Sequence, residues 1–187
     1  LQEKLASLQK QTVHEQRKLI SVLFADLVGF TALSERIDAE DMREILGDYF
    51  RRWTSCIQHY GGRIEKFIGD AVMAVFGLEV SQEDDPERAI RAALAMRETL
   101  QEFNNELEKS HGISLSMRVG IHTGQAVVSL SGERVGSDFA VVGETVNLAS
   151  RLQTIAPING ILISHSTYRH VRGVFDVKVM DPVQVKG

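Results

Sequence analysis

The sequence has few cysteines and lacks long apolar or basic runs, and these absences exclude several classes of protein. Cys56 is the one cysteine among 187 residues, so no internal disulfide can form and a reducing compartment is favoured. No apolar stretch approaches the length of a membrane span, and no signal-peptide pattern is visible. The net charge is −4, and no run of Lys or Arg suggests a nucleic-acid partner. We therefore expect a soluble, cytoplasmic fragment without a membrane or nucleic-acid partner.

The start of the chain differs in pattern from the rest. Residues 1–16 place apolar side chains at Leu1, Leu5 and Leu8, a spacing of four and three that predicts a short helix. This helix is either a frayed end or a linker that carries a signal from an upstream regulatory domain. Residues 17–187 are long enough for one domain with its own core. Because the chain begins without Met, we expect it to be part of a longer protein.

Apolar periodicity divides the domain into strands and helices. Alternating or continuous apolar residues predict strands, and apolar residues three and four apart predict amphipathic helices. The predicted strands are 18–25, a hairpin at 61–77, 114–129, a long hairpin at 127–142, 161–163 and 174–180. The predicted helices run from about 38 to the glycine pair at 61–62, from 83 through 107, over 143–155 and over 164–171.

The order of these elements predicts the fold class. It reads β-α-β-β-α-β, followed by α-β. An antiparallel-rich sheet in a split βαβ arrangement, with the two long helices on one face, is the simplest fold for that order. We therefore predict an α+β domain with a ferredoxin-like core.

The 61–77 hairpin carries an ionisable pair, Lys66 in its first strand and Asp70 at its tip. A further carboxylate, Asp26, follows the buried strand 18–25. If the two strands are neighbours, Asp26 and Asp70 converge at one sheet edge, where close carboxylates repel unless a cation lies between them. Oxygen ligands favour Mg²⁺ or Mn²⁺ over zinc. Alternatively, Asp26 caps a helix and Asp70 is an ordinary turn residue, since Asp is favoured at both places.

Weaker signals indicate phosphate binding. Gly29 lies where a strand passes into a helix, and exposed backbone N–H groups at such a place can bind phosphate. Asn147 and Arg151 are four residues apart and share a helix face, and an arginine there is suited to stabilising phosphoryl charge. Such a pair is also common on a solvated helix face. The six histidines show no ligand spacing, and we assign them no role.

Four motifs that occur in order resemble the catalytic domain of class III nucleotidyl cyclases. They are FADLVGFT at 24–31, GRIEKFIGDAVMAVFG at 62–77, RVGIHTG at 118–124 and VGETVNLASR at 142–151. The resemblance covers residues 18–187 and leaves the N-terminal 16 residues outside it. It implies a head-to-tail homodimer with active sites at the interface. The 127–142 hairpin is similar to the arm that grips the partner chain, which makes it a dimerisation hairpin.

The resemblance also implies a metal site made of oxygen ligands. Asp26 and Asp70 match the two metal-binding aspartates of the family, and the backbone carbonyl of Leu27 matches a further ligand. The implied cofactors are two Mg²⁺ or Mn²⁺ ions. Gly29 and Phe30, at the connection that follows, are assigned to nucleotide binding.

The substrate implied is ATP, which is converted to 3′,5′-cyclic AMP and pyrophosphate. Lys66 matches the lysine that reads the purine ring, and Asn147 matches the residue that orients the ribose. Arg151 matches the arginine on the α-phosphate. Lys186 matches a lysine that holds the terminal phosphates, in a motif that is cut off at the chain end.

One position departs from the pattern of many adenylate cyclases. Their lysine is paired with an Asp three residues before the motif glycine, and here that place is Ala140. The departure resembles a branch of the family in which some members respond to bicarbonate, so bicarbonate is an expected activator. Lys66 favours ATP, with weaker discrimination than an enzyme with the Asp. The alternatives are a guanylate cyclase and a catalytically silent module that binds nucleotide and dimerises.

Overall fold

The computed structural model describes residues 14–130 and 139–181, which form six strands and five helices. The strands are β1 His14–Val28, β2 Arg63–Ile68, β3 Ala71–Phe76, β4 Ser116–Leu130, β5 Phe139–Val142 and β6 Ile161–Ile163. The helices are α1 Phe30–Ser34, α2 Ala39–His59, α3 Asp85–His111, α4 Glu144–Ile155 and α5 His165–His170.

All strands of the described residues lie in one sheet of order β2-β3-β1-β4-β5, and β6 adds to β4. Every pair is antiparallel except β4 with β6, which is parallel. β3 lies between β1 and β2, the two strands that α1 and α2 connect, and this is the split βαβ arrangement. The predicted α+β fold with a ferredoxin-like core is therefore confirmed.

The sheet separates two apolar clusters. On the face that we call the α2–α3 face, residues such as Tyr49, Trp53 and Ile57 of α2 pack against β1, β3 and β4. The opposite face, which we call the α4 face, carries a cluster that includes Phe24, Met73 and Ala149 of α4. A continuous apolar strand such as β3 fits this arrangement, because its side chains alternate between two buried faces.

Glycine permits the close approach of α4 to the sheet. A Cβ atom added at Gly120 in β4 would collide with the Gln153 backbone nitrogen and the Ala149 carbonyl oxygen. Both colliding atoms are backbone, so no side-chain rotation could relieve the contact. The RVGIHTG motif therefore places α4, which carries Asn147 and Arg151, directly on β4.

The predicted 61–77 hairpin is present as β2 and β3. Ile68 pairs with Ala71, so Gly69 and Asp70 form the two-residue connection. Gly69 has a φ of 63°, which residues other than glycine rarely adopt. The sheet curves so far that its two ends meet, and the Arg63 guanidinium carbon lies 5.9 Å from the centre of the Phe139 ring.

The structure corrects three predicted boundaries. The strand predicted over 174–180 is absent from this described segment, which joins no strand of the sheet and leaves Val174 and Met180 exposed rather than packed against it. Val179 in that segment is 89% exposed. Residues 14–16, predicted as the end of a helix, begin β1, and residues 27–28, predicted as the start of the strand-to-helix connection, end it. Residues 1–13 of the predicted helix lie outside the described part of the chain.

Both strands of the predicted 127–142 hairpin are present. β4 and β5 pair with Val127 opposite Val142 and Leu130 opposite Phe139. The connection at 131–138 lies outside the described residues. None of the helices in the described ranges is long and apolar enough to span a bilayer.

Candidate active site

The sheet brings Asp26 and Asp70 together. Asp26 lies two residues before the end of β1, and Asp70 lies in the turn before β3, the neighbour of β1. Ala25 pairs with Val72 in this antiparallel register, so Asp26 lies beside Ala71. Ala71 directly follows Asp70, and the two carboxylates are therefore neighbours. The alternative that Asp26 caps a helix is wrong, because it lies inside β1 and the residue before α1 is Gly29.

The two carboxyl groups interact electrostatically. The pKa of Asp26 is raised to about 6, chiefly because burial disfavours its charge, and further by a hydrogen bond and repulsion from Asp70. The Leu27 backbone N–H and the Arg118 guanidinium act in the opposite direction. Asp26 Oδ1 is buried, and no described residue forms a hydrogen bond with it.

These features fit a divalent cation. A buried carboxylate oxygen without a donor beside a second carboxylate is costly, and a cation bound between them would remove both penalties. The donors are oxygens, which suit Mg²⁺ or Mn²⁺. The described residues contain no group of three or more His, Cys, Asp or Glu side chains that could hold a metal. The remaining ligands would have to be backbone, substrate or water oxygens.

A buried tyrosine supports the hairpin tip, and sequence reasoning gave it no role beyond the α2 core. The Tyr49 hydroxyl donates a hydrogen bond of 3.2 Å to the Asp70 carbonyl oxygen. Burial raises the pKa of Tyr49 well above its usual value, and the charges of Asp70 and Asp26 raise it further. The hydroxyl therefore stays protonated and holds the backbone of Asp70 in place.

Arg118 is a second residue that sequence reasoning missed. It pairs with Asp26 across β1 and β4, and its Nη1 donates a hydrogen bond of 3.3 Å to the Thr154 carbonyl oxygen. Its charge lowers the pKa of Asp26. Only the strand register reveals this pairing, although Arg118 begins one of the four motifs.

The strand-to-helix connection lies beside the carboxylates. Gly29 has a φ of 77° and precedes α1, whose first residue is Phe30. The Leu33 N–H donates a hydrogen bond of 3.1 Å to the Gly29 carbonyl oxygen. The backbone of Leu27, the other predicted oxygen ligand, belongs to β1. The nucleotide-binding role of Gly29 and Phe30 and the ligand role of Leu27 stay predictions.

Lys66 does not pair with Asp70, although both belong to the hairpin. Its Nζ lies 3.1 Å from Oε2 of Glu65, and half of the lysine side chain is exposed. Ala140 lies on β5 opposite Ser129 and is half-buried. The contact between Arg63 and Phe139 joins the strands that carry Lys66 and Ala140, so the two predicted base-binding positions lie on strands that meet.

The predicted substrate residues of α4 are not among the groups that act on the pKa of Asp26. Asn147 is exposed and Arg151 is half-buried. The arginine that acts on the pKa of Asp26 is Arg118, not Arg151. The described chain thus brings Asp26 and Asp70 together, and the arginine that acts on this pair is Arg118 of β4. Lys186 lies outside the described residues.

Comparison with known proteins identifies relatives of two substrate types. The family of the adenylate and guanylate cyclase catalytic domain matches residues 12–187. Adenylate cyclase of Anabaena cylindrica is 33% identical over 177 residues, which are 90% of this chain and 34% of the relative. Human guanylate cyclase soluble subunit beta-2 is 27% identical over 179 residues, 95% of this chain and 28% of the relative. The chain thus spans about a third or less of these curated relatives.

Solved structures with the same fold also include both types. The adenylyl cyclase CyaB from P. aeruginosa has a TM-score of 0.80 and 37% identity, with 87% of this chain and 84% of that one covered. The guanylyl cyclase Cya2 has a TM-score of 0.81 and 33% identity, with coverages of 92% and 89%. The family match and these likenesses agree with the geometry of the paired carboxylates. The chain belongs to the class III nucleotidyl cyclases, as an adenylate or guanylate cyclase catalytic domain.

Proposed function

We propose that this domain is an adenylate cyclase that converts ATP to 3′,5′-cyclic AMP and pyrophosphate at the interface of a homodimer. The observation that carries the proposal is the meeting of Asp26 and Asp70, with a buried carboxylate oxygen to which no residue of the described ranges donates. In this proposal Asp26, Asp70 and the Leu27 carbonyl hold two Mg²⁺ or Mn²⁺ ions. Such ions, when bound, supply charge neutralisation on the phosphates and a lower pKa for the attacking hydroxyl.

The side chains of the protein supply orientation and charge. The substrate's own 3′-hydroxyl is the nucleophile, so no protein nucleophile is needed. Asn147 holds the ribose so that this hydroxyl points at the α-phosphorus, and Arg151 stabilises the negative charge on the α-phosphoryl oxygens. The backbone of Gly29 and Phe30 binds phosphate, and Lys186 binds the terminal phosphates.

The exposure of the substrate residues supports a site shared between two chains. Asn147 is exposed, half of the Lys66 side chain is exposed, and Arg118 rather than Arg151 accompanies Asp26. In a head-to-tail homodimer, Lys66, Asn147 and Arg151 of one chain would complete the partner's carboxylate pair. Each hairpin would then contribute Asp70 to one site and Lys66 to the other.

The choice of ATP rests on Lys66. An ammonium donates to adenine N1, and it can also donate to guanine O6. Ala140 has no acceptor for the adenine 6-amino group, so discrimination should be weaker than in enzymes with an Asp there. The adenylate cyclase relatives support ATP, and the guanylate cyclase relatives make GTP the main alternative.

Turnover of ATP and GTP, measured side by side with Mn²⁺, tests the proposal. We expect cyclic AMP as the main product. A preference for GTP would make the domain a guanylate cyclase, and absence of both products would favour a silent module that binds nucleotide and dimerises.

Three further proposals concern the setting of the domain. A cytoplasmic location would give it ATP and keep Cys56 reduced. The greater length of the curated relatives supports further domains in the full protein, and we place a regulatory domain upstream, acting through residues 1–16. Ala140 supports activation by bicarbonate, and equal rates in bicarbonate and chloride at constant pH would contradict it.

A further inference from the structure

Strand β2 contains one residue more than its partner. Arg63 pairs with Val75 and Ile64 with Ala74, but the next residue of β3, Met73, pairs with Lys66. Glu65 is the extra residue, and it forms a β-bulge. The bulge therefore lies directly before the lysine assigned to the purine.

The extra residue determines which face of the sheet Lys66 occupies. Ile64 packs against the core of the α2–α3 face, and so does Phe67, whose ring centre lies 4.4 Å from that of Phe50. Lys66 is opposite Met73, which belongs to the α4 face. In a regular strand Lys66 would pair with Val72 and would point toward the helices, because a shift of one residue exchanges the faces.

Glu65 also touches the lysine that it redirects. Its side chain is 6% exposed, and its Oε2 lies 3.1 Å from Lys66 Nζ. Oε2 is buried and accepts no hydrogen bond of good geometry from any described residue. The carboxylate thus lies inside the protein while the ammonium, on a half-exposed side chain, lies at its surface.

We propose that Glu65 is a positioning residue that fixes the Lys66 ammonium for recognition of the purine, an inference that rests on the proposed function. A lysine side chain has many rotamers, and a nearby buried carboxylate restricts them before substrate binds. Adenine presents a ring nitrogen as acceptor, whereas the guanine O6 projects beyond the ring. A fixed ammonium can distinguish these positions, and a freely moving one reaches either. Glu65 therefore supplies part of the preference for adenine over guanine that is lost because position 140 is Ala and not Asp.

Glu65→Gln tests this role, because it removes the charge and keeps the length of the side chain and the bulge. We expect KM for ATP to rise about tenfold and the ratio of kcat/KM for ATP to that for GTP to fall by a similar factor, with a smaller change in kcat. The matched control is Glu79→Gln. Glu79 forms an ion pair of 2.8 Å with Arg63 of the same strand, but its side chain is 75% exposed, and we expect its loss to leave both quantities unchanged.

A double-mutant cycle measured by nucleotide binding, which needs no turnover, separates positioning from a general structural effect. If Glu65 acts through Lys66, then Glu65→Gln should add little to Lys66→Ala. Effects that add would overturn the proposal. Glu65→Asp, which keeps the charge and shortens its reach, should lie between wild type and Glu65→Gln. It also serves as the test variant if thermal unfolding shows that Glu65→Gln is poorly folded.

Binding of 3′-deoxy-ATP and 3′-deoxy-GTP, which cannot cyclise, gives a readout independent of turnover. Glu65→Gln should weaken the first more than the second. An inactive wild type would contradict the proposed function, and the binding preference would still test Glu65. A wild type with ATP activity whose purine preference is the same after Glu65→Gln would overturn the inference.

Discussion

The β2–β3 hairpin and helix α4 carry the two halves of the candidate site, and their key residues differ in how far a single chain packs and holds them. At the hairpin tip Asp70 meets Asp26, and Tyr49 holds the backbone beneath it. On α4, Asn147 is exposed, and Arg151 is not the arginine that acts on Asp26. The comparison shows that the fold of a single chain assembles the carboxylates, while Asn147 of α4 is left exposed to solvent.

The largest expected effect comes from the hairpin. Asp70→Ala removes one of the two carboxylates, and we expect turnover to fall on the order of a thousandfold or more, since a bound metal contributes several kcal/mol to such reactions. The rise in melting temperature on adding Mn²⁺ should disappear as well. Unchanged turnover in a folded variant would contradict the metal assignment.

Helix α4 should give a different signature. Arg151→Ala should lower turnover about a hundredfold to a thousandfold, because charge on the α-phosphoryl oxygens loses its partner. The stabilisation by Mn²⁺ without nucleotide should remain, since Asp26 and Asp70 are intact. Loss of that stabilisation would show that α4 and the hairpin do not form separable halves.

The smallest effect concerns the pH dependence of stability in chelator. The pKa of Asp26 is raised from 3.8 to about 6, so its charged form disfavours the folded state. Its contribution to stability is therefore greatest below pH 3.8, falls as the pH rises through about 6, and is level above. Asp26→Asn removes this loss, so it should melt a few degrees above wild type at pH 8 and closer to it at pH 5.

Melting curves of both proteins at the two pH values, with and without Mn²⁺, check this expectation. Mn²⁺ at pH 8 should stabilise the wild type more than Asp26→Asn. A melting difference that is the same at both pH values in chelator would contradict the assigned burial and repulsion.

The sequence could predict the hairpin because Gly69 and Asp70 separate two apolar runs, and turn chemistry of this kind is local. Asp26 meets Asp70 because β1 pairs with β3. Apolar periodicity does not determine which strands pair, so the sequence could predict this meeting only if the two strands were assumed to be neighbours. Arg118 beside Asp26 likewise depends on register. The predicted strand at 174–180 was wrong because alternation gives the local preference of a segment and does not show whether its apolar side chains pack against the sheet.

The bulge at Glu65 did leave a signal in the sequence. Ile64 and Phe67 are apolar and three residues apart, a spacing that a regular strand would place on opposite faces. Both nevertheless pack toward α2 and α3. Apolar residues that are an odd number of positions apart in a strand, yet lie on the same face, indicate an extra residue between them. Here the residues between them are charged, and the extra residue changes the face to which Lys66 points.

Complementation between two inactive variants tests most directly whether the hairpin serves two different sites. Lys66→Ala and Asp70→Ala chains, mixed and allowed to exchange, would form heterodimers in which one site carries both changes and the other is intact. The account predicts that activity returns, to about a quarter of the wild-type rate if the chains of a two-fold dimer exchange at random. If the mixture stays as inactive as its components while heterodimers form, Lys66 and Asp70 serve the same site, and the shared-site account is wrong.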